Sequence, residues 1–267
     1  MRLSIDHTTR YRFSVPQGRV VQMLRLTPSD SHDQTVAAWR IDVDCNARLR
    51  NGRDGFGNVT TMLYAEGPLE AIEIAVSGAV VTSHSDGLLH GVAEPLPPPV
   101  FLRTTPATLA DEALAAFAQE STGGAANAIG RLHRLNTGLH ARFAVSRDRP
   151  EPGLIAADAF ARTTATPRDM AQMFVAAARA LGSPARYVSG YSLDVEDHRP
   201  APHGWAEAHV AGVGWIGFDP CLGLSPEERH VRVAAALDAA GAAPVAGSRL
   251  GEGAEVLDVD VSVHREE

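Results

Sequence analysis

Two side chains in the C-terminal half could do acid–base chemistry together: His203, in His203-Gly204-Trp205-Ala206-Glu207, and Asp219, in Gly217-Phe218-Asp219-Pro220. Each closes or opens an apolar, strand-like run, 203–210 and 214–219, and Ala211-Gly212-Val213 joins the runs as a tight hairpin turn. With the turn centred near 211 or 212, antiparallel register puts His203 opposite Asp219 or within a residue or two of it, on the same face. A carboxylate there would orient the imidazole as a base, and such a base serves an activated nucleophile. Cys221, two residues past Asp219, is one candidate thiol, although it lacks the helix N-terminus that would lower its pKa. Its other reading is a small residue in a loop. His198, His203, Glu207 and His209 do not have HExxH spacing, and alternate strand residues do not of themselves make a tetrahedral site, so no metal is expected. No cofactor is implied either.

The element just upstream is a helix with a strong start signal. In Ala165-Thr166-Pro167-Arg168-Asp169-Met170 the spacing predicts Thr166 as N-cap, Pro167 at the first helical position and Asp169 completing a capping box. Met170, Met173, Phe174, Ala177, Ala178 and Leu181 draw one apolar stripe, and Gly182 with Pro184 ends the helix. No side chain in this opening attacks a carbonyl. A strand over 185–195 and a charged, proline-rich loop over 197–202 lead into the hairpin.

Further back, residues 1 to about 82 alternate in short segments punctuated by turns, the pattern of an antiparallel β domain. Strands are expected over 10–15, stopping at Pro16, and over 20–27, 36–43, 59–64 and 71–81, enough for a sandwich with two inward faces. Leu96-Pro97-Pro98-Pro99 is a stiff spacer near which the domain boundary falls. Helices are then expected over 108–120, with Thr108 as cap, and over 125–143 and 154–162. A short helix from Pro226 to Asp238, a loop to Gly253 and a last strand over 257–263 complete the chain. The domains are thus 1–98, 99–253 and a C-terminal strand, 254–267, whose packing partner the sequence leaves open.

The chain has 267 residues, is 45% hydrophobic, and carries a formal charge of -8 with no basic run, so it offers no electrostatic footprint for nucleic acid or an anionic membrane. Its two cysteines, Cys45 and Cys221, make neither a disulfide framework nor a CxxC site. No signal-peptide h-region and no apolar run of roughly 18 residues is present. A cytoplasmic location is expected.

Several motifs resemble the transglutaminase-like superfamily. Arg179-Ala180-Leu181-Gly182-Ser183-Pro184-Ala185-Arg186-Tyr187-Val188-Ser189-Gly190-Tyr191 is similar to its post-helix signature, His203-x-Trp205-Ala206-Glu207 to its histidine motif, and Gly214-Trp215-Ile216-Gly217-Phe218-Asp219-Pro220 to its aspartate motif. Gln22-x-Leu24-Arg25-Leu26-Thr27-Pro28, Asp54-x-Phe56-Gly57-Asn58 and Glu66-x-Pro68 resemble the bacterial transglutaminase-like N-terminal region. The resemblance implies an α+β fold: an N-terminal antiparallel β-sandwich, then a papain-like core with helices packed on an antiparallel sheet. It also implies a Cys, His and Asp site, with the Cys at the start of the helix, where the positive dipole end and free amides stabilise a thiolate. On that alignment the Cys falls on Pro167. Arg168 replaces the usual Gln, Gln172 the downstream His, Gly204 the usual Ala, and Ala236-Leu237-Asp238-Ala239 a Gly-Arg-Asp-Tyr type segment. The expected function is therefore an inactive homologue that binds a peptide or protein in the cleft, with His203 and Asp219 as remnants and Trp205 and Arg168 as cleft residues. The alternative is a thiol-dependent peptidase, amidohydrolase or acyltransferase using Cys221 with His203 and Asp219.

Overall fold

The computed structural model describes residues 1–193 and 200–266. Its strands are β1 (Arg2–Leu24), β2 (Gln34–Val43), β3 (Ala47–Arg53), β4 (Val59–Thr82), β5 (Ala144–Val145), β6 (Thr164–Ala165), β7 (Ala185–Ser192), β8 (His203–Val210), β9 (Gly214–Phe218), β10 (His230–Ala236), β11 (Val245–Leu250) and β12 (Glu255–Arg265). The helices are α1 (Glu112–Thr122), α2 (Ala128–Arg142), α3 (Ala156–Phe160) and α4 (Pro167–Ala180).

The N-terminal strands form one antiparallel sheet around β1 and β4, which pair along most of their length. Where two strands were expected on either side of Pro16, β1 runs through. Its pairing with β4 slips between Arg12 and Arg19, leaving Pro16 outside the ladder, so the missing N–H costs nothing there. The slip also moves the buried set from odd residues (Leu3, Ile5, Tyr11) to even ones (Val20, Leu24). β4 likewise merges the segments expected over 59–64 and 71–81. The first half of β1 and the second half of β4 carry β12 and β2, the second half of β1 and the first half of β4 carry β11 and β3. Tyr11, Ile72 and Ile74 from one half share a core with Val20, Leu24 and Leu63 from the other, so the expected sandwich is a single sheet folded on itself.

Two C-terminal elements differ from expectation. Val245–Leu250, expected as loop at the end of the core domain, is β11 and pairs with β1, and β12 finds its partner in β1 as well. The stretch expected as a helix after Pro226 holds β10. Its Ala and Arg residues favour helix locally, but pairing with β7 buries Val231, Val233 and Ala234 and overrides that preference. A smaller difference lies at α1, whose N-cap is Asp111, accepting from the Leu114 N–H at 2.9 Å, while Thr108 closes a short 3-10 turn.

The core domain packs α4 on an antiparallel sheet of order β10-β7-β8-β9. The helix is buried on every side from Asp169 to Arg179, more than the single stripe expected, because α1, α2 and α3 cover what the sheet does not. Gly182, at φ +79°, supplies the left-handed residue that ends the chain's helical run. Ala206 and Ala208 of β8 let α4 approach, and Arg179 ties the helix end to its surroundings through Phe101 O, Ala185 O and Leu237 O.

β10 is an edge strand, and two amide side chains of the N-terminal domain serve as its next strand. Gln34 accepts from Arg232 N–H at 2.8 Å and donates to Arg232 O at 2.9 Å. Asn58 does the same to Ala235, at 2.8 and 2.9 Å. Both amides are buried. Asn58→Ala leaves the Ala235 N–H and C=O without partners, at about 1–3 kcal/mol for each buried group, and urea unfolding should show a midpoint lowered accordingly.

Candidate functional site

The capping box at the start of α4 forms as expected. Thr166 Oγ1 donates to Asp169 Oδ2 at 2.6 Å, the Thr166 N–H donates to the same oxygen at 3.2 Å, and Pro167 takes the first helical position. Arg168 turns back on Asp169, with Nη2 2.9 Å from Oδ1, and donates to Glu151 O.

The hairpin delivers the expected pair. His203 Nε2 lies 2.7 Å from Asp219 Oδ2. Asp219 is fully buried and accepts twice more, from the Cys221 N–H at 2.9 Å and from His230 Nε2 at 3.1 Å. Burial alone would raise the Asp219 carboxyl, but the charge and hydrogen bond of His203, together with His230, outweigh it and hold the group well below the usual carboxylate range. His203 Nδ1 has no hydrogen-bond partner among the described residues.

His230 is the residue that sequence reasoning missed as a member of this site. It lies on β10, separated from β8 by β7, so only the sheet order brings it to Asp219. The signal for it was a histidine opening a Val-Arg-Val run, hidden by the helical expectation for that segment.

His203, Asp219 and His230 place three ligand-type atoms within 4.8 Å of one another. Their chemistry argues for hydrogen bonding instead of a cation. His230 Nδ1 accepts the Glu227 N–H at 3.2 Å, so the ring proton sits on Nε2, facing Asp219. A metal on Nε2 needs the proton on the other nitrogen, donated to a partner. The other histidine-rich grouping does not assemble: Glu207 is held by Arg186 and Arg232, His209 packs against Trp215, and His198 lies outside the described residues.

Cys221 is buried, its sulfur 3.6 Å from Met170 Sδ. Trp205, expected in the cleft, is instead 2% exposed, in a cluster with Val188 and Ala235 and edge-on to His230. His203, Trp205 and Glu207 share one face of β8, while Ala206 and Ala208 face α4; Trp205 lies further along the strand than His203, where Val188, Ala235 and His230 cover it. On that far face Glu207 accepts from Arg186 Nε at 2.6 Å and Arg232 Nε at 2.7 Å, and Arg186 also forks onto Glu94, both contacts 2.7 Å, with its guanidinium 3.9 Å from the Trp215 ring centre. Burial would raise the Glu207 carboxyl, but Arg232 and Arg186 bring it down to about 2.

Three hollows adjoin along the start of α4. One of about 290 Å³ is lined by Pro167, His203, Cys221 and His230. A constriction of about 20 Å³ over Pro167, Arg168 and His203 follows. Beyond it lies a cavity of about 300 Å³ between Arg168, Tyr187 and Ala239, sharing Arg168, Ala201 and Pro202 with the constriction.

A helix N-terminus set against a His–Asp pair on an antiparallel sheet, with a β-sandwich in front, defines a papain-like, cysteine-protease-type architecture. Residues 3–81 match the bacterial transglutaminase-like N-terminal region and residues 115–220 the transglutaminase-like superfamily, and the chain belongs to that superfamily. It is 26% identical over 288 residues to an uncharacterized protein of Mycobacterium leprae, covering 99% of both chains, and 24% identical over 288 residues to one of Mycobacterium tuberculosis, covering 98% of this chain and 91% of the other. A crystal structure from Cytophaga hutchinsonii, described as a candidate cysteine protease, shares the fold at a TM-score of 0.76 and 19% identity, covering 100% of this chain and 92% of that one.

Proposed function

We propose that this chain is a transglutaminase-like protein that has given up the thiol step and keeps its cleft to bind a peptide or protein segment. The observation that carries this reading is Pro167 at the first position of α4, facing an open hollow that His203 also lines. Proline has no nucleophile, donor or acceptor on its side chain, and its imide nitrogen removes one amide that an oxyanion could have used. The hollows on either side of the constriction over Pro167 and Arg168 offer room for parts of such a segment. Peptidase and isopeptidase assays with thiol-reagent controls test the reading. No thiol-sensitive turnover is the expected result, and robust turnover abolished by His203→Ala would sink it.

Cys221 supports a second reading, a thiol-dependent hydrolase or acyltransferase, because it lines the same hollow as His203. Fast labelling of Cys221 by an electrophilic acyl probe, lost in His203→Ala, would favour this reading; slow labelling indifferent to that change disposes of it. A reducing, cytoplasmic setting suits two cysteines that form no disulfide, one of them buried, and fractionation of cells expressing the tagged protein tests that location.

A further inference from the structure

We propose that the 300 Å³ cavity beside the start of α4 binds a carboxylate carried on a small apolar group. Its floor is apolar, built from Leu154, Ala239 and Pro244, and none of its described lining residues is acidic. Ala239 stands where the family resemblance expects a tyrosine, so a small side chain leaves this space open.

Hydrogen-bonding groups converge on the cavity without protein partners. Tyr187 and Ser189 line it, each 5% exposed, and neither hydroxyl has a hydrogen-bond partner among the described residues. Neither oxygen is sealed off by the protein, so both open onto the cavity, where a ligand can hydrogen-bond to them. Gly204 makes the arrangement possible, since a Cβ there would lie 2.2 Å from the Tyr187 hydroxyl. Arg168 contributes the charge: its Nε and Nη2 are engaged by Asp169 and Glu151, leaving Nη1 for a ligand. The polar acceptor of Gln172 is already used by the Ala239 N–H at 3.2 Å. A guanidinium nitrogen with two hydroxyls suits an ionised acceptor, because the charge-assisted hydrogen bond to a carboxylate is stronger than one to a neutral amide oxygen.

The carboxylate could belong to a free short-chain acid or to the C-terminus of a peptide, and the peptide source deepens the cleft reading above and rests on it. The test is calorimetric and amide-NMR titration of the full chain with butyrate, N-acetyl-alanine, N-acetyl-alaninamide and a doubly capped dialanine. At least one of the two acids should bind at one site, about tenfold or more tighter than N-acetyl-alaninamide. Butyrate alone would identify a free acid as the source, N-acetyl-alanine alone a peptide terminus. Tyr187→Phe should weaken acid binding about tenfold, and Ala243→Leu, which fills the cavity from its partly exposed rim, should abolish it with thermal unfolding unchanged. Equal binding of acid and amide, or acid binding that survives Ala243→Leu, overturns the proposal. If neither acid binds while the capped dialanine shifts His203 resonances, the carboxylate site fails and the cleft reading stands; if no probe binds, both fail.

Discussion

Pro167→Cys should convert the start of α4 into a reactive thiol. The introduced sulfur would sit at the first helical position, where the dipole and free amides favour a thiolate, next to the hollow that His203 shares. Helix N-termini and neighbouring imidazolium ions bring cysteine pKa values from about 8.5 down to roughly 3.5–7.5. At neutral pH the thiolate fraction then rises from a few per cent to most of the population. Labelling by iodoacetamide in a Cys45→Ser, Cys221→Ser background should therefore be about ten- to thirtyfold faster than that of either native cysteine in the unsubstituted chain. Adding His203→Ala should remove most of the gain. Slow labelling, equal with and without His203, would mean that the pair no longer addresses the helix start. The loss of proline costs about 0.4–1 kcal/mol of stability through the unfolded chain, too little to obscure the readout.

The largest loss of stability should come from the opposite face of β8. Glu207→Gln is expected to destabilise the chain by about 3–5 kcal/mol, because it leaves Arg186 and Arg232 facing an uncharged amide in a buried setting. Glu94 cannot compensate, since both its oxygens already hold Arg186. The pH dependence follows from the lowered Glu207 carboxyl. Its folded value of about 2 lies below the ordinary 4.5, so its stabilisation is fully present above 4.5 and is lost as pH falls towards 2. Urea unfolding from pH 6 to pH 2.5 should show the gap between the native chain and Glu207→Gln narrowing through that window. A constant gap would assign the effect to packing alone.

How much of this was readable beforehand depended on the range of the interaction. The Thr166, Pro167 and Asp169 capping box and the His203–Asp219 contact are local, one within a helical turn and the other across a short hairpin, and both formed as the spacing required. His230 was not legible because its meeting with Asp219 depends on which strands flank β7. β10 and β11 were misread for a related reason: 226–238 looks helical and 239–253 looks like loop until a neighbouring strand offers hydrogen bonds. The nearness of Trp205 to His203 in sequence suggests a cleft residue, whereas Val188, Ala235 and His230, brought in by the neighbouring strands, cover it. The folded-over sandwich was legible in its strands but not in its continuity, because a proline that would interrupt a regular ladder sits at an irregular place in this one.

The amide pair at Gln34 and Asn58 bears on the autonomy of the core. A fragment cut near Pro98 would carry β10 with its outer hydrogen-bonding groups bare, a template for pairing with another copy of itself. The sandwich is thus a built-in chaperone for the strand that carries His230, and the chain should melt as one cooperative body, with no folded intermediate in which the cleft stands alone.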